Sequence, residues 1–446
     1  MSVRIGTIGA MLRLSPKSPL ILPWATLKLA GRFVLPLALW FTLGELLRYG
    51  VMYGGYRLGK MDGLAATVAP LLTIGLLVVI TLTTTALMIH CVREGLDVVH
   101  ARSAGGGLTS WAVGNQDESA LGAMGRAALP FVIFYLAWGQ QAEDAREFAD
   151  MAASRGFTEG GIQGQIEGIG LLLSLEKHVK LAIALTAAFF LLKVLVEWLL
   201  EERMPRTVGP LAGVLEINFA LFGIFTLDRL RDQGEQWFTD RRAWDWFSQA
   251  AAPVLELWPP FKAAVLGALI WIVIAGVILG LDTGDERLVL GQSRTARRIA
   301  AAGAIDRVNS PREILTRGLR EMLLPAWFGL RLVRRSGMMP FATFCLLFSG
   351  LHVGEDLARR QTYELIGAHD VAWWLPRMPF VGYGAGLVFE ILRICLLAAA
   401  FNLMVTRVTA RTAAKAVEPH PSAPSPGAAP PAPATPPWHG APSPGL

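Results

Sequence analysis

Residues 64–91 read LAATVAPLLTIGLLVVITLTTTALMIHC, and this stretch decides the fold. It contains no Asp, Glu, Lys or Arg, and neither a helical nor a strand period breaks up its apolar run. A helix needs about 20 such residues to cross roughly 30 Å of hydrocarbon. Water cannot satisfy backbone polar groups there, so the segment must bond its own amides internally, which an α-helix does.

The same signature recurs outward along the chain, at Val179–Leu200, Lys262–Leu281 and Phe380–Val405. Composition agrees: 53% of the 446 residues are hydrophobic and only 17% charged, against about a quarter charged in soluble domains. Mean hydropathy is +0.44. The sequence therefore predicts an all-α integral membrane protein with about eight transmembrane helices, at 33–53, 64–91, 122–140, 178–199, 208–228, 261–281, 337–353 and 379–405. The third and seventh are short enough to be tilted, extended or re-entrant.

The net charge of +6 comes from an arginine-rich basic set. Most of these arginines flank the apolar blocks, where the positive-inside rule places them, so nucleic acid is not an expected partner. Residues 1–32 hold five Lys/Arg and no acid, and 282–336 hold eleven arginines. With both segments and the tail inside, both termini are cytoplasmic in a cell membrane of bacterial inner-membrane type. Loops 141–177 and 229–260 then lie outside. The expected organisation is a basic segment 1–32, three transmembrane hairpins over 33–281, a basic segment 282–336, a fourth hairpin over 337–405 and a tail over 406–446. Ser310-Pro311-Arg312-Glu313 starts an amphipathic helix within the second basic segment. The tail has eleven prolines after Val417 and cannot form a core.

An internal repeat is visible. Arg32–Pro36, Arg126–Pro130, Arg206–Pro210 and Arg335–Pro340 each open a helix, and each helix closes on an acid and arginine cluster. Four hairpins of one design are the expectation. The three cysteines, Cys91, Cys345 and Cys395, share no CxxC spacing and read as small core residues.

Chemistry must come from ionisable groups inside the spans, because each costs a few kcal/mol unless paired or wetted. They are Glu45 with Arg48, Lys193 with Glu197, Glu216 near Asn218, and Glu390 with Arg393. Three of these sets have i,i+3 or i,i+4 spacing and can pair on one helix face. Glu216 has no basic neighbour within a turn, so it requires a partner on another helix or a proton. A second cluster, Glu143, Asp144, His352, Glu355 and Asp356, belongs to the outer face. The histidines lack HxxxH spacing, no nucleotide-binding or hydrolase motif occurs, and neither a metal nor a cofactor is expected. The leading expectation is a scaffold or accessory subunit of a larger membrane complex, bound to lipid and to protein partners or to itself. The alternatives are a transporter of a small ion or amphiphile using the intramembrane carboxylates, and a membrane enzyme acting on lipid at the outer face.

Overall fold

A computed structural model describes residues 21–96, 140–173, 179–200, 214–223, 261–279, 330–374 and 377–417, with isolated helical positions at 131, 132, 135, 211, 253 and 256–258. Nearly all the described residues are helical, with no strand among them. In chain order the helices are α1 (Ile21–Gly59), α2 (Leu64–Val92) and α3 (Gln140–Leu173). Then come α4 (Val179–Leu200), α5 (Val214–Gly223), and a π-helical turn Lys262–Gly267 leading into α6 (Ala268–Ile278). The last are α7 (Leu330–Ser336), α8 (Met338–Ile366), the single turn α9 (Val371–Trp374) and α10 (Met378–Val417).

Among the described residues, three helices are long and apolar enough to cross a membrane: Ile21–Gly59, Ala66–Gly95 and Met378–Val408. A fourth candidate is α7 with α8, two helices that meet at 118°. The break falls on Gly337, whose φ of 101° is open to glycine at little cost. This is the seventh expected span, and the bend makes it a broken crossing or a re-entrant loop. Shorter apolar helices lie at Leu181–Val196, Val214–Gly223 and Ala264–Ile278, within three of the other expected spans. Most of the span expected at 122–140 lies outside the described residues. So do the helix expected from Ser310 and the proline-rich tail beyond Val417.

Several boundaries move. The first helix begins at Ile21, so the end of the basic segment 1–32, with Lys28 and Arg32, is already helical. The last helix runs to Val417, which removes 406–417 from the expected tail. The seventh continues from Met338 to Ile366, well past 353. Apolar runs mark the hydrocarbon-crossing part of a helix, whereas the helix itself continues wherever its amides remain bonded.

The largest correction concerns 141–177, expected as a loop. Most of it is α3, a helical hairpin that reverses at Gly160 and Gly161, the latter at φ 62°. Glycines bring its arms into backbone contact: a Cβ added at Gly156 would lie 2.0 Å from the Gly164 carbonyl oxygen, and one at Gly168 would lie 2.4 Å from that of Ala152. Small residues at such a crossing let two helices pack backbone to backbone.

The same device joins α1 to α2. The turn between them ends at Gly63, with φ 85°. Gly44 then seats Thr84, and Gly55 seats Thr73 so closely that a Cβ there would fall 1.9 Å from its hydroxyl. Gly75 on the far side of α2 receives Asn218 of α5. α10 lies across α1 through the Phe41 and Tyr383 rings, 5.8 Å apart, and a 2.7 Å bond between the Thr42 and Tyr383 hydroxyls. The main core gathers residues of α1, α2, α5, α6, α8 and α10. A second, small core of Met52, Tyr56, Leu77, Phe148 and Ala152 fixes the α3 hairpin to the far end of α1 and α2.

Candidate functional site

Arg48, on α1, is the centre of the polar structure. Its Nη1 donates to Thr81 Oγ1 of α2 at 2.6 Å, and its Nη2 to Asp144 Oδ1 of α3 at 2.7 Å. Nη2 also meets Glu147, one turn further along α3. Asp144 in turn accepts a hydrogen bond from the Tyr135 hydroxyl. The Arg48 and Asp144 side chains are only 12% and 10% exposed. The planar guanidinium suits this position because it offers several donors in a rigid fork, which a lysine does not.

Glu45 is the expected partner of Arg48, but it lies 4.0 Å away. A rise of only one helical turn separates the two, and the strong bonds of Arg48 go to α2 and α3. Glu45 also lies within electrostatic reach of Glu390 on α10, which links the Arg48 group to a second group. There Arg393 of α10 holds Glu390 at 2.9 Å and reaches Glu355 of α8 at 2.8 Å. Arg359 closes on the same Glu355 at 2.9 Å. The two groups together involve α1, α2, α3, α8 and α10.

A third pair sits apart. Lys193 of α4 donates to Glu216 of α5 at 3.1 Å, so Glu216 finds its partner on a neighbouring helix. Ring contacts hold the same two helices together, Phe189 stacked on Phe222 at 5.7 Å and Phe190 tilted against Phe219 at 5.5 Å. Asn218 is buried, and its amide nitrogen returns to the Val214 carbonyl. Glu197 lies in α4; its side chain is outside what the structure describes.

The cluster expected at the outer face divides. Asp144 and Glu355 belong to the Arg48 and Arg393 groups, while Glu143, His352 and Asp356 are exposed and take no part in them. Among the described residues no three metal-ligating side chains lie together.

Sequence reasoning missed several participants, among them Thr81, Tyr135, Glu147 and Glu159. Glu147 carried a signal, since it follows Asp144 by one turn and shares its face. Glu159, near the α3 bend, accepts from Tyr56 at 3.0 Å and from Lys60 at 2.9 Å. Tyr56 and then Glu159 hold the Lys60 ammonium above its usual range, and the hydrogen bond from Lys60 lowers Glu159. Arg155 lies over the Tyr49 and Tyr53 rings. Aromatic and charged residues thus clamp α3 to the polar end of α1.

In comparisons with known proteins, no family model matches the chain, and no curated sequence or solved structure matches it either.

Proposed function

We propose that the protein is a non-catalytic, multi-pass membrane component, a scaffold or accessory subunit of a larger membrane assembly. One observation carries this reading: among the described residues, the charges at Arg48, Lys193 and Arg393 are closed between helices. Arg48 joins α1 to α2 and α3, and Arg393 joins α10 to α8. In hydrocarbon such ties fix the relation between helices, because each released charge would stand unpaired. The full reading has eight spans in four related hairpins, with both termini cytoplasmic.

Mild-detergent purification tests it, and a scaffold brings partners in fixed stoichiometry. Arg48→Ala leaves Asp144 and Glu147 without their cation, a loss of about 3–5 kcal/mol for a buried pair in a soluble protein. The expected result is a lower melting temperature and loss of those partners together. A monodisperse protein without partners, in detergent and in cross-linked membranes, would refute the scaffold.

A second reading, proton-linked transport, has its own support. Among the described residues, Glu45, Asp144, Glu147, Glu355 and Glu390 form ion pairs with Arg48, Arg359 and Arg393 alone. This surplus of carboxylates leaves room for protons or a small cation. Proteoliposomes with a pH-sensitive dye decide it: flux that Glu45→Gln abolishes favours transport, and unchanged leakage rejects it.

A further inference from the structure

Arg93 closes α2 and is 8% exposed, the one cation in the buried class among the described residues. Among the described residues its Nη2 has no hydrogen-bond partner, and neither does Nδ1 of His90, one turn back. Spacing of three places the two on one helix face. The contrast with Arg48 and Arg393 is sharp, since each of those holds two carboxylates within 3 Å. The acid beside Arg93, Glu94, is exposed and makes no ion pair with it. A buried cation left without a counter-charge costs several kcal/mol, so the arrangement calls for an anion from outside the described protein.

The surroundings indicate which anion. Gly95 is seated against Phe33 and Leu29, so the end of α2 rests on the first turns of α1. Those turns carry Lys28 and Arg32, both exposed, with the Arg32 guanidinium 5.2 Å from the Phe33 ring centroid. Trp24 and Leu27 are 55% and 57% exposed beside them, and Leu35 is 80% exposed one helical stretch further in. A tryptophan at the boundary between basic and apolar surface marks the headgroup level of a bilayer. Basic pockets between transmembrane helices at this depth bind lipid headgroups.

We propose that the α1–α2 end of the bundle binds the phosphate of an anionic phospholipid, seated on Arg93. The Arg93 fork takes two phosphate oxygens, His90 Nδ1 donates a further bond, and Lys28 and Arg32 supply the attracting field. The acyl chains lie along the exposed leucines of α1.

The test uses the full chain, purified in uncharged detergent and stripped of lipid. Phosphatidylglycerol, phosphatidylcholine and inorganic phosphate are added separately, and thermal unfolding and lipid retention by native mass spectrometry are read. Phosphatidylglycerol is expected to raise the melting temperature by roughly 2–4 °C and to be retained at least ten-fold better than phosphatidylcholine. In Arg93→Met the lipid-free protein should melt no lower than wild type, because no protein partner is abandoned, and the phosphatidylglycerol shift should vanish. Equal retention of the two lipids by wild type would overturn the proposal without recourse to any variant. A full shift from inorganic phosphate alone would overturn the lipid assignment. So would an Arg93→Met protein that keeps the shift, or one that fails to fold, which would mean that the chain itself answers the charge.

Discussion

Glu216 and Glu159 show how differently two acids in this molecule carry their charge. Glu216 is half-buried between α4 and α5 against Lys193. Glu216→Gln keeps size and acceptor capacity and removes the ion pair. Hydrogen bonds to charged groups contribute about 1.5–3 kcal/mol, so a lower melting temperature in detergent is expected, with recovery in Glu216→Gln/Lys193→Met. A stable variant without any activity would instead make Glu216 a working proton site. Glu159 is open to water, and Lys60 lowers its pKa. A carboxyl with a lowered folded-state pKa stabilises above its unfolded value, and that contribution fades as pH falls through the lowered one. Between about pH 4.5 and that lower value, wild type should therefore lose a small increment that Glu159→Gln never had. Parallel melting curves with the same slope in this window would refute the link. Sequence spacing shows which charges share a helix face, and it identified Glu45 with Arg48 and Glu390 with Arg393. It does not show that Asp144, 96 residues from Arg48, comes closer than Glu45 three residues away.

Among the elements, α3 was the least legible from sequence. Its mixed polarity lacks the apolar run that announces a span, so the sequence places it as a loop between spans. The signal that defines it is a different one. Ala152, Gly156, Gly160, Gly164 and Gly168 recur every four residues through the bend, which keeps small residues on the inner face of both arms. Gly164→Ala tests this, because its Cβ would fall 2.2 Å from the Gly156 carbonyl oxygen. Backbone contact cannot yield by rotamer change, so the arms must separate, at a cost of about 1–3 kcal/mol. Hydrogen exchange should rise across 140–173 while α10 stays protected. Gly170→Ala is the control: nothing lies within 4 Å of its added Cβ, and helix propensity favours it slightly. Exchange that rises equally in both variants would show that the glycines act through flexibility and not through contact. The long apolar helices α2 and α10 were legible for the opposite reason, since hydrocarbon accepts little besides a helix.

For the molecule as a whole, the reading of membrane-embedded helices followed directly from composition, whereas the relation between helices depended on charges far apart in the chain. The segment beyond Val417 has no apolar pattern with which to join the core. Deleting Glu418–Leu446 should therefore leave the melting temperature in detergent unchanged. A fall of several degrees would show that the segment packs on the bundle. The distance along the chain between Arg48 and Asp144 also sets a schedule for biosynthesis. At about 5–20 residues per second, a ribosome needs roughly 5–20 s to make the 96 residues that separate the arginine from its carboxylate. During that interval the nascent α1–α2 hairpin holds a cation that only Thr81 and Glu45 can answer. Release of the hairpin from the insertion machinery into lipid is thus best delayed until α3 has emerged, and a ribosome stalled before residue 140 should leave α1 crosslinked to that machinery.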